Sequence, residues 1–395
     1  MESTMNYLPN RQQHINLLRI AFIMLISSRK KFIGMLIGAT FATFIVTQQP
    51  SIYQGVTERL TKKIRLLGNE IDLWVMSESS FSFEHPTNFT PMDIYRIRSI
   101  PGILEVTPLY VNWLHIQHLP TKSTKVWQII GVDPDSLIGL PRTMSQGERL
   151  SIRHTNAMIV DGYSLQQFET KNKHTLAIGD KMVQGQNAWI ISGVTKPIRT
   201  YSHTPVAYIS SNHLPNIIHT PSFLLIKIKP SFDRIQVANN IQKITGYSAF
   251  TPAQFIERSN KFFREKTPIV ISFISVAVLG FIIGLIIMWQ IFNDFIITHN
   301  HQYGMLKMLG VGNFLLIKIV LFQAAVVGIL GYLLGLMLTA LFGFVFHDTT
   351  VAFHLTWQIS LLGAIGAIVI IIFSSLLSLL RVIRLDTIDL CRNLI

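Results

Sequence analysis

The chain has 395 residues and a net charge of +13, but only 14% of its residues are charged, against about 25% in soluble domains. Its mean hydropathy is +0.40, and the apolar residues are concentrated in a few long windows, which argues against an ordinary soluble protein. Basic and acidic residues are interspersed outside these windows, so the sequence lacks the basic stripe that is typical of nucleic-acid binding.

Four windows lack Lys, Arg, Asp and Glu and are long enough to cross a bilayer, which takes about 20 apolar residues. From them we predict transmembrane helices at residues 32–49, 267–293, 319–346 and 351–380. The first window is longer than the h-region of a signal peptide and has no A-x-A-like end, so we interpret it as a retained helix.

The orientation of these helices follows from basic residues at their ends. Arg29, Lys30 and Lys31 precede the first helix, and Arg381 and Arg384 follow the last one. Basic flanks prefer the cytoplasm, so both termini are predicted to be cytoplasmic. The cytoplasmic parts are then the N-terminal segment 1–31, with an amphipathic stretch at 14–28 on the membrane surface, the link 294–318 and the tail 381–395.

Residues 50–266 are expected to form a domain outside the cytoplasm. Helical stalks are predicted at 53–67 and 252–266, the second beginning with a proline at its first position. Between the stalks we predict strands at 71–75, 109–117, 126–132, 157–160, 181–183, 189–194, 207–210 and 223–228, and helices at 90–99 and 235–244. The predicted fold is therefore a four-helix membrane protein with an inserted α+β domain, including a β-rich subdomain at about 125–205.

The sequence carries no catalytic or metal-binding signature. It has no P-loop for nucleotide phosphates, no HExxH and no GxSxG. His115 and His118 are three apart on a predicted strand, so they point to opposite faces and do not form a zinc pair. The single cysteine, Cys391, gives no disulfide in the outer segment. We predict a protein that is not an enzyme and holds no cofactor or metal.

Small residues recur at a spacing of four in three of the predicted membrane helices. The pairs are Gly34 with Gly38, Gly280 with Gly284, and Gly331 with Gly335. Such spacing lets helix backbones approach closely. Packing within the chain and a seam between two copies both remain open for these pairs.

The link between the second and third predicted membrane helices is the most informative motif. It reads HNHQYGMLKMLGVG over residues 299–312. Met305, Leu306, Met308 and Leu309 suit a short amphipathic helix on the membrane, and Gly310 is placed to end it.

This link resembles the pattern R-E-x-[AG]-x-L-[KR]-[AT]-[LI]-G-A of the MacB/FtsX/LolC-type ABC permeases. The tail 381–392 resembles the closing R-[VI]-x-[RK]-[LI]-D-P-x-x-x-[LI]-R of that family, and residues 179–194 resemble its G-D-x-[VI]…V-x-G-V hairpin. Within the family, residues 72–77, 100–110 and 130–134 are similar to motifs of the DevC branch. The sequence departs from the family pattern at His301, Gln302 and Thr387.

The resemblance implies a permease subunit of an ATP-driven export complex in the bacterial inner membrane, which relays the motion of a separate ATPase to its periplasmic domain. It also implies a HlyD-type adaptor, a TolC-like outer-membrane channel and a homodimer. Lipoprotein release of the LolC type and FtsX-like regulation of a cell-wall hydrolase are the alternatives. The residues expected to contact the ATPase are Tyr303, Gly304, Met305, Leu306, Lys307, Leu309 and Gly310.

Overall fold

The structure is a computed structural model that describes residues 10–67, 70–167, 176–201, 204–347, 349 and 351–383. Its chain divides into two compact units. One unit, here called the helical unit, comprises Met1–Gly55 and Pro268–Ile395, and the other, the sheet unit, comprises Val56–Thr267. In chain order the sheet unit therefore begins within the first long membrane-type helix and ends just before the second.

The secondary structure of the described residues is as follows. The α-helices are α1 (Asn10–Ser27), α2 (Arg29–Leu67), α3 (Pro91–Arg98), α4 (Gly162–Gln167), α5 (Arg234–Thr245), α6 (Pro252–Lys266), α7 (Ile269–Thr298), α8 (Asn300–Met308), α9 (Asn313–Val345) and α10 (Trp357–Ile383). The strands are β1 (Leu73–Met76), β2 (Ile103–His118), β3 (Ser123–Val132), β4 (Met144–Gln146), β5 (Ala157–Val160), β6 (Lys181–Gln184), β7 (Asn187–Thr195), β8 (Val206–Ser210), β9 (Phe223–Ile228) and β10 (Ser248–Phe250).

Four of the described helices are long and apolar enough to cross a membrane, as the sequence predicted. They lie at Arg29–Leu67, Ile269–Thr298, Asn313–Val345 and Trp357–Leu376. The first continues through Pro50 without a break. The predicted stalk at 53–67 is the second half of α2 and continues the membrane helix.

The helical unit has one apolar core shared by all its long helices and by α1. Buried residues from α1, α2, α7, α9 and α10 meet there, including Ala21, Met35, Phe292, Val320 and Ile370. Where the side chains of α1 are described, at residues 19–27, Ala21, Met24 and Leu25 are buried. The outward faces of the long helices are rich in exposed Ile, Leu and Phe, which is the distribution that lipid-facing helices require.

The sheet unit is built on a mixed sheet whose order is β10-β1-β9-β2-β3-β8-β5-β7-β4, with β6 paired to β2 and β7. Strand β2 joins its two halves: Glu105–Leu109 pair with β9 and Tyr110–His118 pair with β3. All pairings are antiparallel except β3 with β8 and β5 with β7, which are parallel. The predicted mixture of strands and helices is present.

Alternation along the strands decides which helices cover which face of the sheet. Leu73 and Val75 of β1 pack with residues of α3 and α5, whereas Trp74 and Met76 point to the opposite face. There they pack with Ile64 near the end of α2 and Phe255 of α6. The two predicted stalk segments therefore cover one face of the sheet unit.

Local sequence explains where two of these helices begin. Thr90 accepts a hydrogen bond from the backbone N–H of Asp93, whose carboxylate accepts from the Thr90 N–H at 2.8 Å, which starts α3. Thr251 and Gln254 form the same reciprocal pair at the start of α6. Both helices carry proline directly after the cap, where the missing N–H costs nothing.

Candidate functional site

The link between α7 and α9 contains the predicted short helix, α8. Its C-terminus is a Schellman motif. Gly310 has a φ of +88°, its N–H donates to the Lys307 carbonyl at 3.1 Å, and the Val311 N–H donates to the Leu306 carbonyl at 3.1 Å. The prediction that Gly310 ends this helix is confirmed, because only a residue without a side chain adopts this left-handed conformation at no cost.

One side of the link is an exposed apolar surface. Leu309 is 81% exposed and Phe314, at the start of α9, is 67% exposed. Met305 and Met308 contribute a further part of this surface. We call these four side chains the link patch. Lys318 lies over the Phe314 ring, with its Nζ 4.6 Å from the ring centroid, so the patch carries a positive charge at its edge.

The other side of the link faces the interior, which corrects the predicted docking surface at two positions. Tyr303 is fully buried and Gly304 is buried beside it. Their place on the inner face of α8 leaves them covered by the chain itself. Leu306 and Lys307 are half-buried, and Met305, Leu309 and Gly310 are exposed. The exposed part of the predicted set is therefore continued by Met308 and Phe314, which the prediction did not include.

The hydroxyl of Tyr303 is bonded inside the helical unit. It donates to Oε1 of Gln323 in α9 at 2.7 Å, and Nε2 of Gln323 donates to the carbonyl of Ala21 in α1 at 3.0 Å. Burial raises the pKa of Tyr303, so its hydroxyl remains a neutral donor over the physiological range.

Two further contacts tie the start of α2 to the junction of α7 and α8. Nδ1 of buried His299 lies 2.9 Å from the Phe295 carbonyl and Nε2 lies 3.1 Å from Oγ of Ser28. A carbonyl only accepts, so Nδ1 carries the proton and Nε2 accepts from Ser28 in the neutral imidazole. Lys31 forms an ion pair with Asp294 at 2.7 Å. The N-terminal part of the chain is thus bonded to the link at several points.

The three glycine pairs lie against other helices of the same chain. A Cβ on Gly280 meets Ile45 at 2.3 Å, and one on Gly284 meets Ala42 at 2.2 Å. Gly331 and Gly335 approach Ala39 and Thr43 of α2 in the same way, at 2.4 and 2.6 Å. At Gly34 and Gly38 the nearest atoms belong to Ile291 and Ile287 of α7, at 3.6 and 3.1 Å. Of the two interpretations of the sequence, the structure gives packing within the chain.

A comparison with known protein families matches one part of the helical unit. Residues 274–387 match the model of the FtsX-like permease C-terminal domain. This range contains the whole link with α8, its Schellman end and the link patch. This part of the chain, less than a third of its length, is similar to FtsX-like permeases. The resemblance to the MacB/FtsX/LolC-type permeases is confirmed at that level, and the DevC branch stays a prediction.

Solved structures resemble the chain more weakly. The periplasmic region of MacB from Actinobacillus actinomycetemcomitans is 11% identical with a TM-score of 0.37, over 50% of this chain and 95% of that one. The extracellular domain of the noncanonic ABC-type transporter YknZ from Gram-positive bacteria is 16% identical with a TM-score of 0.33, over 46% of this chain and 98% of that one. A domain of a permease protein from Porphyromonas gingivalis is 12% identical with a TM-score of 0.33, over 47% and 91%.

These TM-scores are too low to carry an argument. No curated protein sequence matches the chain.

The sheet unit contains a largely buried polar triad that the sequence did not indicate. Lys63 of α2 is bonded to Glu84 at 3.3 Å and to Oε1 of Gln128, and Nε2 of Gln128 donates to Glu84 at 3.1 Å. Burial lowers the pKa of Lys63, and the nearby carboxylate of Glu84 partly opposes that shift. Only the three-dimensional fold brings these residues together, since they lie far apart in the sequence.

Of the two histidines on β2, His118 has structural partners. His115 is exposed, whereas His118 is buried between Oγ1 of Thr121 at 2.8 Å and the carboxylate of Asp180 at 3.1 Å. The two histidines point to opposite faces of β2, as their spacing predicted. Among the described residues, no group of three or more His, Cys, Asp or Glu side chains is arranged to hold a metal ion.

Asp161, which directly follows β5, should make the stability of the sheet unit depend on pH. Burial raises its pKa from 3.8 to about 6, although it accepts hydrogen bonds from Thr195 and from the Ile198 and Tyr163 N–H groups. A raised acid pKa means that the folded state binds the proton more tightly. Its stabilisation is complete below the unfolded pKa and is lost as pH rises through about 6.

We therefore expect the free energy of unfolding of the sheet unit to lose about 3 kcal/mol from this group between about pH 4 and pH 6.5. The measurement is urea unfolding of the purified chain in detergent across this range. In Asp161→Asn, which has no charge to titrate, that slope should be absent even though the variant is less stable overall. An identical slope in the two proteins would contradict the assignment.

Proposed function

We propose that the chain is the permease subunit of an ATP-driven ABC export complex, whose ATPase is a separate subunit that docks on the link patch. The link and both termini are then cytoplasmic, the sheet unit is periplasmic, and the chain resides in the bacterial inner membrane. The outer partners are a HlyD-type adaptor and a TolC-like channel. The chain itself contributes no catalytic group, and ATP hydrolysis belongs to the partner.

The observation that carries this proposal is the form of the link patch. Leu309 and Phe314 are among the most exposed apolar side chains of the helical unit. Leu309 caps a short helix that is closed by a Schellman motif and anchored by buried Tyr303, and Phe314 lies in the first turn of α9. An exposed apolar patch on a rigid element, edged by polar and basic groups, is typical of a protein interface. It also lies inside the range that matches the FtsX-like domain.

Two features support transmission of movement rather than conduction. Helix α2 runs without interruption from Arg29 to Leu67, so a change of tilt in its first half is carried along its own backbone. Helices α6 and α7 are instead separated at Thr267, which has an extended conformation with ψ of 145°. We propose that α2 is the main element that transmits the movement of the ATPase to the sheet unit.

The contacts of the glycine pairs bear on where a homodimer contact would lie. All three pairs lie against helices of their own chain, which supports a dimer contact elsewhere. We therefore propose that the dimer contact is formed by other apolar surfaces of the helical unit.

The test is the double substitution Leu309→Glu with Phe314→Glu in the chain co-expressed with the ABC ATPase subunit encoded nearest its gene. Two carboxylates in a desolvated contact leave charges that the ATPase cannot pair. Loss of two anchor side chains of this kind costs about 2 kcal/mol or more each, so retention of the ATPase on the tagged chain should fall at least about tenfold. Retention is measured by quantitative co-purification from membranes.

A matched control separates docking from general surface effects. Ile217 of the sheet unit is also an exposed apolar residue, 65% accessible, and Ile217→Glu should leave the retained ATPase unchanged. If the double variant folds, inserts in the membrane and still holds the ATPase as the control does, docking at the link patch is wrong.

A further inference from the structure

Helix α9 contains a fully buried amide at Gln323. An amide inside an apolar helix packing is costly unless its polar atoms are bonded. The Ala21 carbonyl only accepts, so Nε2 must face it, which leaves Oε1 for the Tyr303 hydroxyl. Both bonds are short, at 3.0 and 2.7 Å. One side chain thus joins α9 to α8 on one side and to α1 on the other.

Apolar packing alone would hold these three helices together without this amide. Around Gln323 the core contains Ala21, Leu25, Ile319, Val320 and Ala324, all buried. A leucine or methionine at position 323 with a phenylalanine at position 303 would extend the same core, and such replacements of buried polar pairs are often neutral for stability. The two hydrogen bonds of Gln323, here called the bridge, add a fixed register between the helices. Directional bonds are satisfied in one arrangement only.

We propose that Gln323 is a positioning residue that makes α1 and the coupling helix α8 move as one body. On this inference, which rests on the proposed function, a displacement of α8 by the ATPase is passed to α1 through Tyr303 and Gln323. The bonds of Ser28 to His299 and of Lys31 to Asp294 hold the junction of α1 and α2 to the same body. Helix α1 then takes part in transmitting the movement of α8 and is not only a membrane anchor.

The first experiment uses the whole chain alone, in lipid nanodiscs, with hydrogen–deuterium exchange followed by mass spectrometry. Gln323→Leu removes both bonds, and Tyr303→Phe removes only the hydroxyl. Loss of one buried hydrogen bond changes a local opening equilibrium about fivefold. Exchange in both α1 and α8 should therefore become about fivefold faster in each variant, and the double variant should be no faster than Gln323→Leu alone.

The matched control is Thr339→Val. It removes another buried hydrogen bond of α9, the one between the hydroxyls of Thr339 and Thr47 of α2 at 2.7 Å, away from α1 and α8. It should leave exchange in these two helices unchanged. Unchanged exchange in Gln323→Leu and Tyr303→Phe overturns the proposal, and so does faster exchange confined to α8, because α1 would then not be linked to it.

The second experiment adds the ATPase subunit and distinguishes this inference from the proposed function. The link patch is intact in Tyr303→Phe, so the variant should retain the ATPase as the wild type does. An ATP-dependent change of exchange in α1 should be present in the wild type and lost in the variant. If the wild type retains no ATPase, the proposed function fails. The first experiment still tests whether Gln323 links α1 to α8. If the variant keeps the ATP response of α1, the bridge is not the path and the inference is wrong.

Discussion

Replacing Glu84 by leucine should destabilise the sheet unit by about 3–5 kcal/mol, because it leaves the ammonium of Lys63 buried without its carboxylate. The Lys63 side chain is only 7% exposed and its Nζ lies 3.3 Å from the Glu84 carboxylate. The remaining direct contacts are the Gln128 carbonyl and the face of the Phe83 ring, 5.0 Å from Nζ, and the Asp161 carboxylate acts on the charge only from a greater distance. Neither direct contact compensates a buried positive charge as a carboxylate does. The measurement is urea unfolding followed by the fluorescence of the buried Trp74, Trp127 and Trp189.

The same variant has a characteristic pH dependence. The pKa of Lys63 is already lowered by burial, and removal of Glu84 lowers it further. A base whose folded-state pKa lies below its unfolded value binds its proton better when unfolded, so stability rises with pH between the two values. The deficit of Glu84→Leu should therefore shrink as the pH is raised from 7 towards 10.

The control for this prediction removes the charge itself. Lys63→Met with Glu84→Leu replaces the ion pair by apolar side chains of similar length, and such replacements are often neutral or stabilising. The double variant should thus be more stable than Glu84→Leu alone. Equal destabilisation in the two proteins would show that lost packing, and not an unpaired charge, explains the effect.

Replacing Gly284 by alanine should separate α7 from α2. The added Cβ would lie 2.2 Å from the Ala42 Cβ and 3.0 Å from its Cα, and a backbone atom has no rotamer by which to withdraw. Forcing one methyl group into such a contact costs about 1–3 kcal/mol. We expect a lower thermal unfolding midpoint of the helical unit, measured by circular dichroism in mild detergent.

Gly34 provides the matched control on the same pair of helices. A Cβ there meets Ile291 at 3.6 Å, which is ordinary van der Waals contact with a flexible side chain. Gly34→Ala should be neutral or should stabilise by up to about 1 kcal/mol through helix propensity. If the two alanine variants unfold at the same temperature, the close approach at Gly284 is not what holds α7 to α2.

In the sheet unit, local sequence patterns predicted the bounds of some elements but not of others. The predicted strands at 157–160 and 223–228 and the helix at 252–266 have the bounds that the structure gives, because short apolar runs and a capping box are local signals. The first strand was predicted at 71–75 but lies at Leu73–Met76. Its end depends on pairing with β9 and β10, which no pattern within the strand reveals.

In the link, the sequence predicted the helix but not which of its side chains are buried. Its helix and the glycine that ends it were predicted from residues four or five positions apart. The direction of Tyr303 was not, since a helix turns about 100° per residue and several faces of α8 carry apolar side chains. Tyr303 was expected on the docking surface, but it lies against Gln323, and Phe314 belongs to the exposed surface instead.

The sequence by itself determined that four helices are long and apolar enough to cross a membrane, that a strand-rich segment stands between the first two, and that a short helix ends at Gly310. These features rest on composition, periodicity and backbone conformation within a few neighbouring residues. Only the tertiary structure decided that the glycine pairs face their own chain, that Lys63, Glu84 and Gln128 meet, and that Gln323 joins α1 to α8. Those contacts join residues up to 302 positions apart, and side-chain partners at such separations are set by how whole elements pack.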